Sequence, residues 1–155
     1  MPHPPAVPDA ADIGAIIRAK LHLEGPMLPI LHDLQAAYGC IPDAARAPVA
    51  DALNITQAEL HGVISFYHDF RSAPAGRHVL KICRAEACQA VGANALSDKV
   101  LAMLGLEWHG TSADGRVTVE PVYCLGLCAC GPAAMVNGHV RGRASAEDLV
   151  AEVSA

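Results

Sequence analysis

Aromatic side chains are scarce: Phe, Trp and Tyr make up 4% of the 155 residues. A core built on stacked rings is therefore excluded. The 52% hydrophobic content must supply an aliphatic, alanine-rich interior instead. Basic residues are also in deficit, 11 Lys and Arg against 16 Asp and Glu, for a formal net charge of −5. That balance excludes a broad cationic surface of the kind that displaces counterions from nucleic acid. No run approaches the roughly 18–20 apolar residues of a membrane span. The stretch from Met1 to Asp9 lacks the basic start and apolar core of a signal peptide. Residues 1–8 read as a proline-rich, disordered lead-in, and a cytoplasmic location is the expectation. A Gly-rich dinucleotide fingerprint is missing too, because Gly76, Gly92 and Gly105 are scattered. The chain is not expected to bind NAD by itself.

What is present falls into two halves. After Asp9, a helix N-cap candidate, Ile13, Ile16, Ile17 and Leu21 recur at helical spacing. Gly25-Pro26 ends that segment, and Ile30, Leu31, Leu34 and Tyr38 mark a second helix stopped by Gly39. Pro48 is placed to open a third helix containing Val49 and Leu53. Thr56-Gln57-Ala58-Glu59 has the pattern of a capping box before a fourth. Residues 9–71 thus predict a small helical bundle. Ser72-Ala73-Pro74-Ala75-Gly76 has the composition of a hinge. Beyond it the period changes. His78–Cys83 reads as a strand, 87–104 as one helix with Val91, Leu96, Val100, Leu101 and Leu104 inside, and Val117–Tyr123 as a second strand. Pro121 within that strand points to an edge position or a bulge. Gly138 suits a hairpin turn, and Ser145 caps a last helix. The order β-α-β-β-α predicts an α+β or thioredoxin-like domain over 77–155.

Six cysteines without an export signal point to metal or redox chemistry rather than disulfides. Cys83 and Cys88 have four residues between them, and Cys124 and Cys128 have three. Each pair directly follows a predicted strand. Parallel neighbouring strands would bring all four thiols to one sheet edge. Four thiolates suit Zn²⁺ or an iron–sulfur cluster. The wide first loop, running from a strand end to a helix start, favours a binuclear [2Fe–2S] core with one iron per pair. Structural zinc and unligated or disulfide-bonded cysteines are the alternatives. Gly126 and Gly131 would let the backbone pass close to sulfide and aim N–H groups inward. A thioredoxin-type enzyme would need two residues between its cysteines, so thiol exchange is disfavoured.

These residues resemble a known family, the thioredoxin-like [2Fe–2S] subunits related to the small flavoprotein-fraction subunit of respiratory complex I. The likeness is carried by Cys83 and Cys88, by Cys124-Leu125-Gly126-Leu127-Cys128, by Met135 and Asn137, and by Gly62-Val63-Ile64-Ser65-Phe66-Tyr67. Ile30-Leu31-His32, His68-Asp69-Phe70-Arg71 and Cys83-Arg84-Ala85-Glu86-Ala87-Cys88-Gln89 are most similar to the gamma-subunit branch of soluble, molybdenum-containing, NAD-dependent formate dehydrogenases. NAD-linked bidirectional hydrogenase and NADH:quinone oxidoreductase are the neighbouring branches. Where the family commonly has Ala-Pro, this sequence has Gly131-Pro132, with an extra Cys130. The resemblance implies a [2Fe–2S] cluster on Cys83, Cys88, Cys124 and Cys128. It also implies a beta-type partner subunit that binds FMN and NAD, and a larger alpha-type subunit with the molybdenum cofactor.

Bland roles are expected for the remaining residues. Cys40 reads as a core thiol, and Cys130 as buried or supporting. His61 and His68 read as surface groups. Phe66 and Tyr67 read as core or interdomain packing. Arg84 and Glu86 lie inside the first cysteine loop with opposite charges. Arg84 should raise a cluster's potential and Glu86 should oppose it, and the sequence does not say which prevails.

Overall fold

The computed structural model describes residues 8–154. The expected lead-in over 1–8 falls almost wholly outside them. The chain divides into two compact units, with the boundary between Pro74 and Ala75.

The first unit holds α1 (Ala10–Lys20), α2 (Met27–Tyr38), α3 (Asp43–Leu53) and α4 (Gln57–Phe66). Asp9 caps α1 by accepting the Ala11 N–H. Gly39 ends α2 in the left-handed region at φ 75°, where a Cβ would be strained. Thr56 and Glu59 close a reciprocal capping box on α4. Ile13, Ile30, Leu31, Leu34 and Leu60 fill the core between the helices. Pro48 does not open a helix. It lies inside α3, which begins at Asp43 after an extended Pro42. A proline there removes the bond that would reach Ala44, yet Ala45, Val49 and Ala50 are buried around it. Packing of that face outweighs the lost bond.

The second unit holds β1 (His78–Cys83), α5 (Glu86–Ala90), α6 (Ala93–Leu104), β2 (Val117–Val122), β3 (Ala134–Val136), β4 (His139–Arg141) and α7 (Ala146–Ser154). The sheet order is β2-β1-β3-β4. β1 and β2 are parallel, with Cys83 opposite Val122, while β3 runs antiparallel to both β1 and β4. Leu80, Ile82, Val119 and Val136 project from one sheet face into a core closed by Val100 of α6 and Leu149 of α7. Asn137 and Gly138, both at positive φ, make the tight turn between β3 and β4. Ser145 accepts the Asp148 N–H at the start of α7.

The single helix expected over 87–104 is two. Gly92 at φ 98° breaks it into one turn, α5, and a longer α6. Val91, expected inside, is exposed as a result. The break lets Cys88 turn inward while Ala93 and Ser97 start a new buried face. Pro121 does occupy an edge strand.

Candidate functional site

The parallel pairing of β1 and β2 sends two loops out of the same end of the sheet. Cys83 is the last residue of β1, and Cys88 follows in the first turn of α5. Cys124 comes two residues after β2 ends, at φ 70°, and Cys128 opens a single 3-10 turn, Cys128–Cys130. A positive φ is rare for a residue with a Cβ, so Cys124 is held by its surroundings. Gly126, at φ 77°, supplies the second left-handed position in the same loop.

The four thiols gather as two pairs. The Cys83 and Cys88 thiols share a hydrogen bond, and the Cys124 and Cys128 sulfurs lie 3.8 Å apart. The pairs sense each other electrostatically, because Cys128 interacts with both Cys83 and Cys88. Cys83 and Cys88 are buried, and Cys124 and Cys128 are exposed. Among the described residues, no three His, Cys, Asp or Glu side chains are grouped to hold one metal ion.

Backbone amides line the inner pair. Burial pushes the Cys83 thiol up. The N–H of Ala85, the Cys88 thiol and the N–H groups of Cys124 and Leu125 outweigh it and hold Cys83 below the ordinary thiol value. Cys88 is pushed up by burial first and by its hydrogen bond with Cys83 second, although the Ala133 N–H favours its thiolate. Cys128 is pushed up chiefly by the hydrogen bond and charge of Cys124. Four amides aimed at two buried sulfurs form a nest for negative charge. Such a cradle fits a four-thiolate [2Fe–2S] core, whose net charge is roughly −2.

The two loops are tied together. The Arg84 N–H donates to the Val122 carbonyl at 2.7 Å, and the Gln89 side chain donates to the Arg84 carbonyl at 2.7 Å. The Gly131-Pro132 peptide is cis. A Cβ at Gly131 would meet Val91 Cγ2 at 2.7 Å and Cys88 Sγ at 3.6 Å, so glycine permits the close approach of that segment. Cys130 packs against Gly142, where a Cβ would come within 2.9 Å of the Cys130 Cβ. Cys40 is a buried thiol of the helical unit, pushed up by burial and by Asp43.

Matching these features, residues 13–154 fit the thioredoxin-like [2Fe–2S] ferredoxin family. The chain belongs to that family. Its cofactor is accordingly a [2Fe–2S] cluster, and the mixed helix-and-sheet architecture is that of the family. Among curated relatives, a subunit of the NADH-quinone oxidoreductase of Pseudomonas aeruginosa is 32% identical over 124 residues, covering 78% of this chain and 75% of the relative. The HndA subunit of the NADP-reducing hydrogenase of Solidesulfovibrio fructosivorans is 31% identical over 119 residues, covering 77% and 70%. Among solved structures, an NAD⁺-reducing [NiFe]-hydrogenase in the air-oxidised state superposes with a TM-score of 0.68 at 26% identity. That match covers 83% of this chain but 22% of the hydrogenase chain.

Sequence reasoning placed Phe66 and Tyr67 in packing. They are exposed instead, their rings edge-on to each other at 5.2 Å. In the last turn of α4 it is Ile64 and Val63 that face the bundle core, which leaves Phe66 on the outer side, and beyond the helix Phe70 rather than Tyr67 folds back into the core. His61 and His68 are on the surface. The amides of Ala85, Leu125 and Ala133 were not foreseen, because a backbone donor leaves no mark on residue identity. Trp108, which lies under Arg84, was also missed, since nothing in the sequence links the two positions.

Proposed function

We propose that this chain is the electron-transfer subunit of an NAD-linked oxidoreductase, with one [2Fe–2S] cluster held by Cys83, Cys88, Cys124 and Cys128. The observation that carries this assignment is the convergence of two thiol pairs at one sheet end, with amides turned toward the buried pair. Two pairs match two irons. A lone zinc ion would want four sulfurs about one point. When bound, the cluster takes up and releases one electron at a time.

The chain's own residues do the rest. Cys83 and Cys88, both buried, would hold their share of the cluster out of water, and the amides of Ala85, Cys124, Leu125 and Ala133 would favour negative charge there. Cys124 and Cys128, both exposed, would hold their share of it at the surface, where a redox partner could approach. The exposed Tyr123 and Val91 give that surface an apolar rim. The partner is a beta-type subunit that binds FMN and NAD, in keeping with relatives named for NADH-quinone oxidoreductase and NADP-reducing hydrogenase. The finer assignment is to a soluble formate dehydrogenase with a molybdenum-containing alpha-type subunit. The support for it is the Cys83–Gln89 loop and the His68–Arg71 segment. An NAD⁺-reducing hydrogenase is the second reading, favoured by the 0.68 superposition. No helix among the described residues is long and apolar enough to cross a membrane. The cytoplasm is the proposed location.

Gentle affinity purification from the native host tests the assembly. Partners with formate-dependent NAD⁺ reduction support the first assignment, and hydrogen-dependent reduction supports the second. Iron, labile sulfide and a reduced-state EPR signal test the cluster. A colourless protein with one zinc per chain refutes it.

A further inference from the structure

We propose that Arg84 is the fixed countercharge of the cluster, a positioning residue that raises the reduction potential without ligating iron. This rests on the four-cysteine assignment above. The loop between Cys83 and Cys88 carries two opposite charges, and the structure treats them unequally. Glu86 is exposed at the first position of α5, where water and salt screen it. Arg84 is half-buried and held at three points. Its N–H binds the Val122 carbonyl, its own carbonyl accepts the Gln89 amide, and its guanidinium carbon sits 5.3 Å from the centroid of the Trp108 ring.

The Arg84 Nε is buried and has no hydrogen-bond partner. Among the described residues no carboxylate forms an ion pair with Arg84. A buried guanidinium N–H with neither acceptor nor anion is costly, and a ring face offsets only part of that cost. A thiolate-bound cluster next in the chain supplies the missing negative charge. The Cα atoms of Arg84 and Cys83 are one trans peptide apart, about 3.8 Å. The Arg84 side chain thus departs from the residue next to a ligand, in a partly buried setting where salt screens charge less than at the surface. Reduction takes the assembly from roughly −2 to roughly −3. A held cation favours the more negative state, so the electron is retained more tightly.

Potentiometric titration of the full chain with its cluster, followed by EPR, tests this in the parent, Arg84→Gln, Arg84→Lys and Glu86→Gln proteins. Iron and labile sulfide are counted in the same samples. Arg84→Gln is expected to weaken reduction about tenfold, a fall of about 59 mV for one electron. Arg84→Lys should restore most of that, and Glu86→Gln should move the potential little. A full cluster with unchanged potential in Arg84→Gln overturns the proposal, as do equal falls in the Gln and Lys variants. A parent protein without iron overturns the cluster assignment itself, and the countercharge with it. If Arg84→Gln fails to retain iron, Trp108→Leu supplies the measurement, since it frees the guanidinium and leaves the loop backbone in place. A lower potential supports the countercharge, and an unchanged one overturns it.

Discussion

Replacing Gly131 by alanine sets two effects of opposite sign against each other. The backbone at Gly131 has φ −68° and ψ 163°, a region open to any residue. On backbone grounds alone, Gly131→Ala would stabilise by about 0.4–1 kcal/mol, because the unfolded chain loses freedom. The new methyl, however, would sit 2.7 Å from Val91 Cγ2. Val91 is β-branched, so relief means leaving its preferred rotamer or shifting the loop, at a cost of about 1–3 kcal/mol. The net expectation is a loss of about 0.5–2 kcal/mol. Val91→Ala removes the obstructing atom, and at a 52% exposed position it should cost about 0.5 kcal/mol or less. In that background Gly131→Ala should change sign and stabilise. Urea denaturation of the four proteins of the cycle, followed by circular dichroism with iron content checked at each midpoint, gives the coupling. Additive effects would refute the account, showing that the tight Gly131 approach is not set by Val91.

Cys83→Ser, Cys88→Ser, Cys124→Ser and Cys128→Ser should each lose or sharply reduce bound iron, while Cys40→Ser and Cys130→Ser keep it. Loss of iron from the Cys130 variant would count against this ligand set. Leu80→Ala empties a fully buried site where β1 meets the helices, and should cost about 2–5 kcal/mol in denaturant titrations. Thr56→Ala removes the hydroxyl that accepts the Glu59 N–H and donates to the Glu59 carboxylate, while the backbone N–H at position 56 still caps that carboxylate, and should cost about 1 kcal/mol at neutral pH. The Thr56 N–H, and then its hydroxyl, hold the Glu59 carboxyl below its usual value. Its contribution is therefore present above the ordinary glutamate pKa and fades as pH falls through the lower folded value. The parent–variant gap in urea midpoint should narrow in acid, and a gap that stays constant would contradict this role for the cap.

Much of the architecture could be read in the residues because it rests on local rules. Asp9, Gly39 and the Thr56–Glu59 box fix helix ends within one turn, and alternation in 78–83 and 117–122 marks strands directly. Pro48 and Gly92 mislead for a common reason. Each local preference is weighed against burial, which packs around the proline in one case and uses the glycine to turn Cys88 inward in the other. The cysteines could be found because thiol spacing is chemistry written in side chains. The amides of Ala85, Leu125 and Ala133 could not, since their direction is settled only when β1 and β2 pair. Phe66 and Tyr67 show the limit of composition: scarce aromatics invite a core placement, yet the end of α4 leaves both rings in water.

The outer side of β2 is already spoken for. The His109 N–H donates to the Val119 carbonyl, the Val119 N–H to Gly110, and the Ser112 N–H to the Val117 carbonyl, while Pro121 has no N–H to offer. At the opposite margin β4 is three residues long and includes His139 and Arg141. Neither border of the sheet invites a further strand from a neighbour. Whatever docks on this unit must grip it by side chains and loops, so it can join and leave a larger assembly without its β-sheet being extended or exchanged.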